Sequence, residues 1–223
     1  MFCYKDQTLT ELHYHGINLK LREIYLHSYY VESDGGEETG VEYKQASTFI
    51  KNFHVLDQPP YKPILIHLHS TGGCWNNGMA MFNTVQFGKS YTTMLAYAQA
   101  WSMSGILLQC PDLRIMMPDC TFMMHHGWTN GYVQHPYGNK QEADLQIKFC
   151  QRMLQIFAER AIVGPYFKKR KSSTIQSAYR FFDKKVKEKV DWYLTADEAV
   201  YYGLADAILG SKEYPDLNSL RGV

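Results

Sequence analysis

Four stretches of this chain hold residue types that can do chemistry. In AQAWSMSGILL, Ala98 to Leu108, the hydroxyl of Ser102 interrupts an apolar run where Ala would pack at no cost. A strand through Tyr97 should meet a helix beginning near Met103 at this point. The side chain would then project from a turn beside free backbone N–H groups and the positive end of a helix dipole. That location suits a nucleophile, because developing negative charge is stabilised before any substrate binds. It equally suits an ordinary N-cap serine, and the stretch alone leaves both readings open. STGGC, Ser70 to Cys74, follows one strand and precedes a helix. Glycines there let backbone approach a ligand, and the N–H of Gly73 could bind an oxyanion, although many α/β loops carry glycine. His125, near the end of TFMMHH, could act as a base or sit structurally in its strand. Asp191, opening DWYLTADEA, could orient a base or be a surface acid.

The elements that must position these groups follow from periodicity. REIYLH, Arg22 to His27, reads as a strand and SDGGEETG after it as a loop. Ala46, Phe49, Ile50 and Phe53 fall at i, i+3, i+4 and i+7, the spacing of an amphipathic helix that QPPYKP breaks. Ile64 to Leu68 is an apolar strand. Trp75 to Phe87 reads as a helix with Met79 and Phe82 on one face. SYTTMLAY reads as a strand, Ser102 to Cys110 as a helix, and RIMM and TFMMHH as strands. Such alternation is the pattern of right-handed crossovers, hence an α/β fold with a largely parallel sheet. GWTNGYVQHPYGNK has no clear period. Cys150, Met153, Leu154, Phe157, Ala158 and Ala161 then trace one face of a long helix that Gly164 and Pro165 end. A basic helical segment runs through SSTIQSAYRFFDKKVKEK. DWYL is a short strand, and Thr195 to Glu198 forms a capping box for a helix closed at Gly203.

Composition narrows the class. With 223 residues, nearly half of them apolar and a fifth charged, one ordinary globular domain spanning 1–223 is expected. A formal net charge of +1 gives no global case for nucleic acid or a membrane surface. No apolar run approaches the ~20 residues of a membrane-spanning helix. MFCYKDQTLTELHYHG lacks the apolar core of a signal peptide, so a cytoplasmic setting, or an organelle stroma or matrix, is expected. Five cysteines, Cys3, Cys74, Cys110, Cys120 and Cys150, are odd in number and form no C-x-x-C pair. That argues for a reducing compartment and against a disulfide framework or zinc ribbon.

Taken together and in order, the four stretches resemble the proteolytic subunit of the Clp protease, over residues 20 to 210. STGG stands for that family's Ser-Pro-Gly-Gly, and AQAWSMSGILL for its Gly-Gln-Ala-Ala-Ser-Met-Gly nucleophile segment. PDCTFMMHH stands for its Pro-Asn-Ser-x-x-Met-x-His strand. DWYLTADEAVYYGLADAIL stands for its Asp-Arg-Phe-Leu-Ser-Ala-x-Glu-Ala-x-x-Tyr-Gly-Leu-x-Asp ending. The resemblance implies a crotonase-like fold of stacked βαβ units. It divides the domain into a head at about 20–126, a protruding strand–helix handle at about 127–165, and a last part, 166–223, with the basic segment, the Asp strand and the capped helix. It implies Ser102 as nucleophile, His125 as base, Asp191 as the group orienting the imidazole, and the N–H groups of Gly73 and Met103 as oxyanion hole. Gly72, Cys74, Trp101 and His126 are candidate residues of the substrate groove. No metal or organic cofactor is implied. The partners implied are a polypeptide substrate, further copies of the chain in two stacked heptameric rings, and an ATP-dependent AAA+ unfoldase.

Departures from the pattern carry their own expectations. Thr71 and Ala98 replace proline and glycine, and Ser104 replaces a glycine beside the oxyanion hole. Trp101 replaces a small alanine, so its ring must either narrow the peptide groove or stiffen the core. His126 competes with His125 as base. Strand alternation should point the two to opposite faces, and the motif favours His125. KKRK at Lys168 to Lys171 and DKKVKEK from Asp183 lie in a stretch longer than the family usually has. They form either a solvated helical face or a docking surface for an acidic partner. His67 and His69 share a strand face, yet no H-e-x-x-H or Cys/His spacing points to zinc. Coenzyme A-dependent hydratases share the fold but need no Ser–His–Asp set. A catalytically silent ring subunit remains the non-enzyme alternative.

Overall fold

The computed structural model describes residues 4–26, 40–127, 136–170 and 173–221. Outside them fall Cys3, His27, all of the SDGGEETG loop but Gly40, Lys171, and the glycine-rich part of the expected handle between Trp128 and His135.

The chain opens with α1 (Tyr4–His15), β1 (Ile17–Asn18), β2 (Glu23–Leu26) and α2 (Tyr43–Leu56). It continues through β3 (Ile64–Ser70), α3 (Trp75–Gln86), β4 (Thr92–Trp101), α4 (Met103–Leu107), β5 (Leu113–Met116) and β6 (Thr121–Met124). After these come α5 (Pro136–Ala161), α6 (Pro165–Lys168), α7 (Ile175–Lys189), β7 (Trp192–Leu194), α8 (Ala196–Tyr202), β8 (Ala207–Ile208) and a 3₁₀ turn at Leu217–Leu220. The helix α1 had no signal in the pattern, because YKDQTLTELHYH presents no apolar stripe.

Strands run in the order β1-β2-β3-β4-β5-β8, with β6 against β4 and β7 against β6. From β2 to β8 the neighbours are parallel, as the alternation of strands and helices implies. β4 is the pivot. Its first half, Thr93 to Ala96, pairs with β5, and its second half, Gln99 to Trp101, pairs with β6. One long strand thus carries the sheet past the end of β5 and brings the C-terminal ends of β3, β4 and β6 together. β7 then adds antiparallel to β6, with Met124 opposite Trp192.

The core lies on both faces of this sheet. Along β4, Met94 and Ala96 enter the main core, while Leu95 and Tyr97 face a second cluster with Leu65, Leu113, Ile115 and Leu220. α2 buries Ala46, Phe49, Phe53 and Leu56 in the main core, at the predicted period. α5, about 39 Å long by its residue count, buries Met153, Leu154, Ile156, Phe157, Ala158 and Ala161 in its C-terminal half. Its N-terminal half leaves Leu145 and Ile147 exposed, so that half stands away from the core. α7 docks on α5 through Ala178, Phe182 and Val186, with Phe182 6.3 Å from Phe157 between ring centres.

A buried polar tie locks the C-terminal part to the sheet. Arg114, 2% exposed, donates to both carboxylate oxygens of Asp206, to Gln109 Oε1 at 2.8 Å and to the Gly203 carbonyl at 2.9 Å. Gln109 in turn donates to the carbonyls of Gly105 and Leu204. A guanidinium out of water is tolerable only when its N–H groups find such acceptors. The tie joins the segment after α4 to the turn after α8, and so fixes the α4 region that follows Ser102.

Candidate active site

Ser102 follows the last residue of β4 and precedes α4, so it stands at the end of the pivot strand. Its backbone is at φ 53° and ψ −123°, a conformation that L side chains rarely adopt. The Ser102 N–H donates to the Met123 carbonyl on β6 at 3.0 Å, which pins the turn to the neighbouring strand. The side chain does not cap the helix. Its Oγ instead lies 2.7 Å from His125 Nε2. The two other hydroxyl residues that open α-helices in the described chain, Thr174 and Thr195, sit in extended backbone and do cap. The two readings left open for Ser102 therefore separate here by geometry. The helix that follows is also shorter than expected, α4 ending at Leu107. With so few residues its dipole is small, and the free N–H groups of its first turn matter more.

Gly72 backs directly onto this turn. A Cβ on Gly72 would lie 2.7 Å from Ser102 Cβ and 2.7 Å from the Trp101 carbonyl oxygen, at φ +110°. Beside it, Val41 clamps the loop: its N–H donates to the Gly72 carbonyl at 2.6 Å and its carbonyl accepts from Cys74 N–H at 2.8 Å. In an extended pairing alternate groups point away, so the N–H of Gly73 is left without an acceptor among the described residues. The Met103 N–H is likewise without one. The two residues with these free backbone donors line one cleft with Ser102.

His125 and Asp191 are brought together by strand register. β6 and β7 pair Phe122 with Leu194, Met123 with Tyr193 and Met124 with Trp192. His125 and Asp191 are the residues immediately beyond the last pair, so this register brings them to the same end of the two strands. Nδ1 of His125 and Oδ1 of Asp191 are 3.2 Å apart. Oδ1 has no aligned donor, so the contact becomes an ion pair only when His125 is protonated. Burial pushes the His125 imidazole below its ordinary value of 6.5, and the Asp191 carboxylate opposes that shift. The imidazole is therefore neutral at pH 7 and able to accept a proton at Nε2.

The structure departs from the expected strand TFMMHH, which ends at Met124. Past that point neither β4 nor β7 continues the ladder, so period-2 alternation no longer constrains the side chains. His125 and His126 both border the cleft, but His125 turns to Ser102 and Asp191, while the charged neighbours of His126 are Asp183 and Lys187 of α7. His126 makes no bond to Ser102. Its Nε2 is buried without a partner, and Cys150 Sγ donates to its carbonyl at 3.1 Å.

The cleft holds about 350 Å³ and is bounded by Gly73, Cys74, Ser102, Met103, His125, His126 and Gly127 on its polar side. Trp75, Ile106, Gln146, Phe149, Cys150 and Met153 complete it. Trp75 and Phe149 stack at 4.9 Å across the gap between α3 and α5. Gln146, Phe149, Cys150 and Met153 fall at i, i+3, i+4 and i+7, so the helical stripe that marks this wall is present in the sequence, one residue row away from the core face. Trp101 does not line the cleft. Its Nε1 donates to Thr121 Oγ1 at 2.9 Å and its ring meets Tyr193 edge-on at 5.4 Å, so it stiffens the β4–β6–β7 junction. Ser104 is fully buried with its Oγ unpaired. His67 is held by Tyr97 OH at 2.9 Å on the other sheet face. Among the described residues no three His, Cys, Asp or Glu side chains gather as a metal site. None of the described helices is long and apolar enough to cross a membrane.

Residues 37–212 match the protein-family model described as Clp protease.

Proposed function

This chain belongs to the Clp protease family, and we propose that it is an active serine endopeptidase whose nucleophile is Ser102. The observation that carries the reading is the 2.7 Å contact between Ser102 Oγ and His125 Nε2, made by a serine that declines the capping role its position offers. Ser102 Oγ attacks the scissile carbonyl while His125 Nε2 takes its proton, and Asp191 stabilises the imidazolium that results. The carbonyl oxygen becomes an oxyanion facing the free N–H groups of Gly73 and Met103. One such donor is typically worth about 3–4 kcal/mol of transition-state stabilisation. Collapse expels the amine, which leaves with the proton from His125. Water, deprotonated by the same imidazole, then hydrolyses the acyl-enzyme. Every proton is accounted for by these side chains, with no metal or organic cofactor in the cycle.

The substrate class follows from the cleft, which offers an extended peptide free backbone donors beside an apolar wall of Trp75, Ile106, Phe149 and Met153. Unfolded or short polypeptides fit it. Assembly of the chain into two stacked heptameric rings fed by an ATP-dependent unfoldase belongs to the same proposal. It is supported by the family and by α5, whose projecting half carries exposed Leu145 and Ile147.

The test is labelling with a fluorophosphonate probe alongside cleavage of fluorogenic peptides, on the wild type and Ser102→Ala. Labelling and cleavage present in the first and absent in the second are expected. A folded wild type that neither labels nor cleaves, in the ring or alone, overturns the proposal in favour of a silent assembly subunit.

A further inference from the structure

Between Lys168 and Lys189 the chain carries nine Lys and Arg against two acids, a formal +7. The whole chain is +1, so the remaining residues carry −6. A chain near neutrality overall thus concentrates its positive charge in one sequence segment, the one that holds α6 and α7.

Both acids of the segment are already taken: Asp183 pairs with Lys187 at 2.7 Å and Glu188 with Lys184 at 3.6 Å. Lys168, Lys169, Arg170, Arg180, Lys185 and Lys189 pair with no carboxylate among the described residues. Three of these six are held over aromatic rings. Arg170 lies 5.0 Å above Tyr166 and donates to its hydroxyl at 2.7 Å. Lys169 lies 5.6 Å above Tyr201, and Lys185 is 5.8 Å from Phe181 and 5.9 Å from Trp192. The rings brace one another, Tyr166 against Phe181 at 4.8 Å and against Tyr202 at 5.1 Å, and Trp192 against Tyr202 at 5.2 Å. A cation fixed on such a platform has less side-chain freedom to lose on binding than one waving in solvent. A merely solvated helical face would not need that arrangement.

We propose that the α6–α7 face, with Tyr201 of α8, is a docking surface for an acidic and partly apolar polypeptide segment. The apolar component follows from Val163 just before α6, Ile175 and Val190 at the two ends of α7, and Tyr201 of α8, all at least 40% exposed. Nucleic acid fits less well. Asp183 and Glu188 stand among the cations, where closely spaced phosphates would meet them, and the rings that could stack on bases already carry cations. None of these residues lines the Ser102 cleft, so the surface stands whether or not the peptidase reading holds.

The test uses the whole 223-residue chain and fluorescence anisotropy of a labelled peptide of about twelve residues, alternating Glu or Asp with Leu, at about 50 and 300 mM NaCl. The acidic peptide is expected to bind at low salt and to weaken at least about tenfold at high salt, as a charge-driven contact must. A peptide with Gln in place of each acid is expected to bind at least about tenfold more weakly, and so is the acidic peptide to the triple variant K169E/R170E/K185E. A second variant, Lys168→Glu with Lys189→Glu, touches no aromatic ring and separates loss of charge from loss of packing. Equal affinity for the Gln peptide, affinity unchanged in both variants, or tighter binding of a single-stranded oligonucleotide of the same charge each overturns the proposal.

Discussion

Replacing Asp191 by Asn probes the weakest joint of the proposed file. The carboxylate is 3.2 Å from His125 Nδ1, without an aligned donor at Oδ1 and about one-third exposed. Its work is done when His125 becomes an imidazolium. At 3.2 Å and an effective dielectric of 20, the attraction is about 5 kcal/mol. The exposure of Asp191 screens it, and doubling the dielectric leaves about 2.6 kcal/mol. One factor of ten per 1.36 kcal/mol puts the expected loss at about 10²- to 10⁴-fold in kcat. KM should stay near its original value, because the charge pair forms in the transition state and not in the ground state. The pH profile adds an independent readout. Activity of the wild type should fall as pH drops through the His125 pKa, which burial holds below 6.5 and Asp191 raises part of the way back. Asparagine removes the raising contribution, so the acidic limb should move to still lower pH while the plateau drops. The assay is steady-state cleavage of a fluorogenic peptide between pH 4.5 and 8, with thermal melting to show that the variant is folded. A folded Asp191→Asn enzyme within about fivefold of the wild type, or one whose acidic limb moves upward, refutes the role given to Asp191.

Two stability predictions come from buried charge. Asp206→Ala leaves the Arg114 guanidinium, 2% exposed, with neutral acceptors only, and should cost about 3–5 kcal/mol in urea denaturation, with Asp206→Asn recovering part of it. Glu23, fully buried, should make the protein acid-sensitive. Burial would raise its carboxyl, but His67, Arg221 and Tyr25 beside it hold it at about 2, below the ordinary 4.5. Its contribution is therefore complete above pH 4.5 and lost as the pH falls from there toward 2, on the order of 3 kcal/mol in all. Glu23→Gln should flatten that part of a melting-temperature profile, and an unchanged profile would rule the carboxylate out.

Much of the scaffold was legible because it rests on local patterns. The i, i+3, i+4 spacing through Phe49 and Phe53, the apolar run Ile64 to Leu68 and the Thr195–Glu198 capping box each encode an element without help from distant residues. The site was legible only through motifs set in order. Nothing near Asp191 points to His125, since the two meet through an antiparallel register set by the pairing of β6 with β7. The reading failed where a pattern was extended past its cause. The strand was carried through His126, but it stops at Met124, where the neighbouring strands stop as well. Trp101 was assigned to either groove or core from its size alone, and its neighbours Thr121 and Tyr193 decide for the junction. The clamp from Val41 was invisible because a single bridge leaves no periodic trace.

The backbone of Ser102 offers a way to separate function from architecture. A non-glycine residue at φ 53° and ψ −123° costs about 1–3 kcal/mol, which the surrounding contacts must offset. Thr174 and Thr195 show what a cap in this same chain looks like, with φ of −125° and −69° and a side-chain bond to the helix. Ser102 has neither, and under the proposed function the strained turn is what aims its hydroxyl at His125. Two variants isolate that strain. Both Ser102→Ala and Ser102→Gly lose the hydroxyl and its bond to His125, but only glycine relieves the positive φ. Glycine also gains freedom in the unfolded chain, which takes back about 0.5–1 kcal/mol. Ser102→Gly should therefore be the more stable of the two inactive proteins by about 1 kcal/mol in chemical denaturation. An alanine variant as stable as the glycine variant would mean that the turn is relaxed and that the geometry at Ser102 stores nothing.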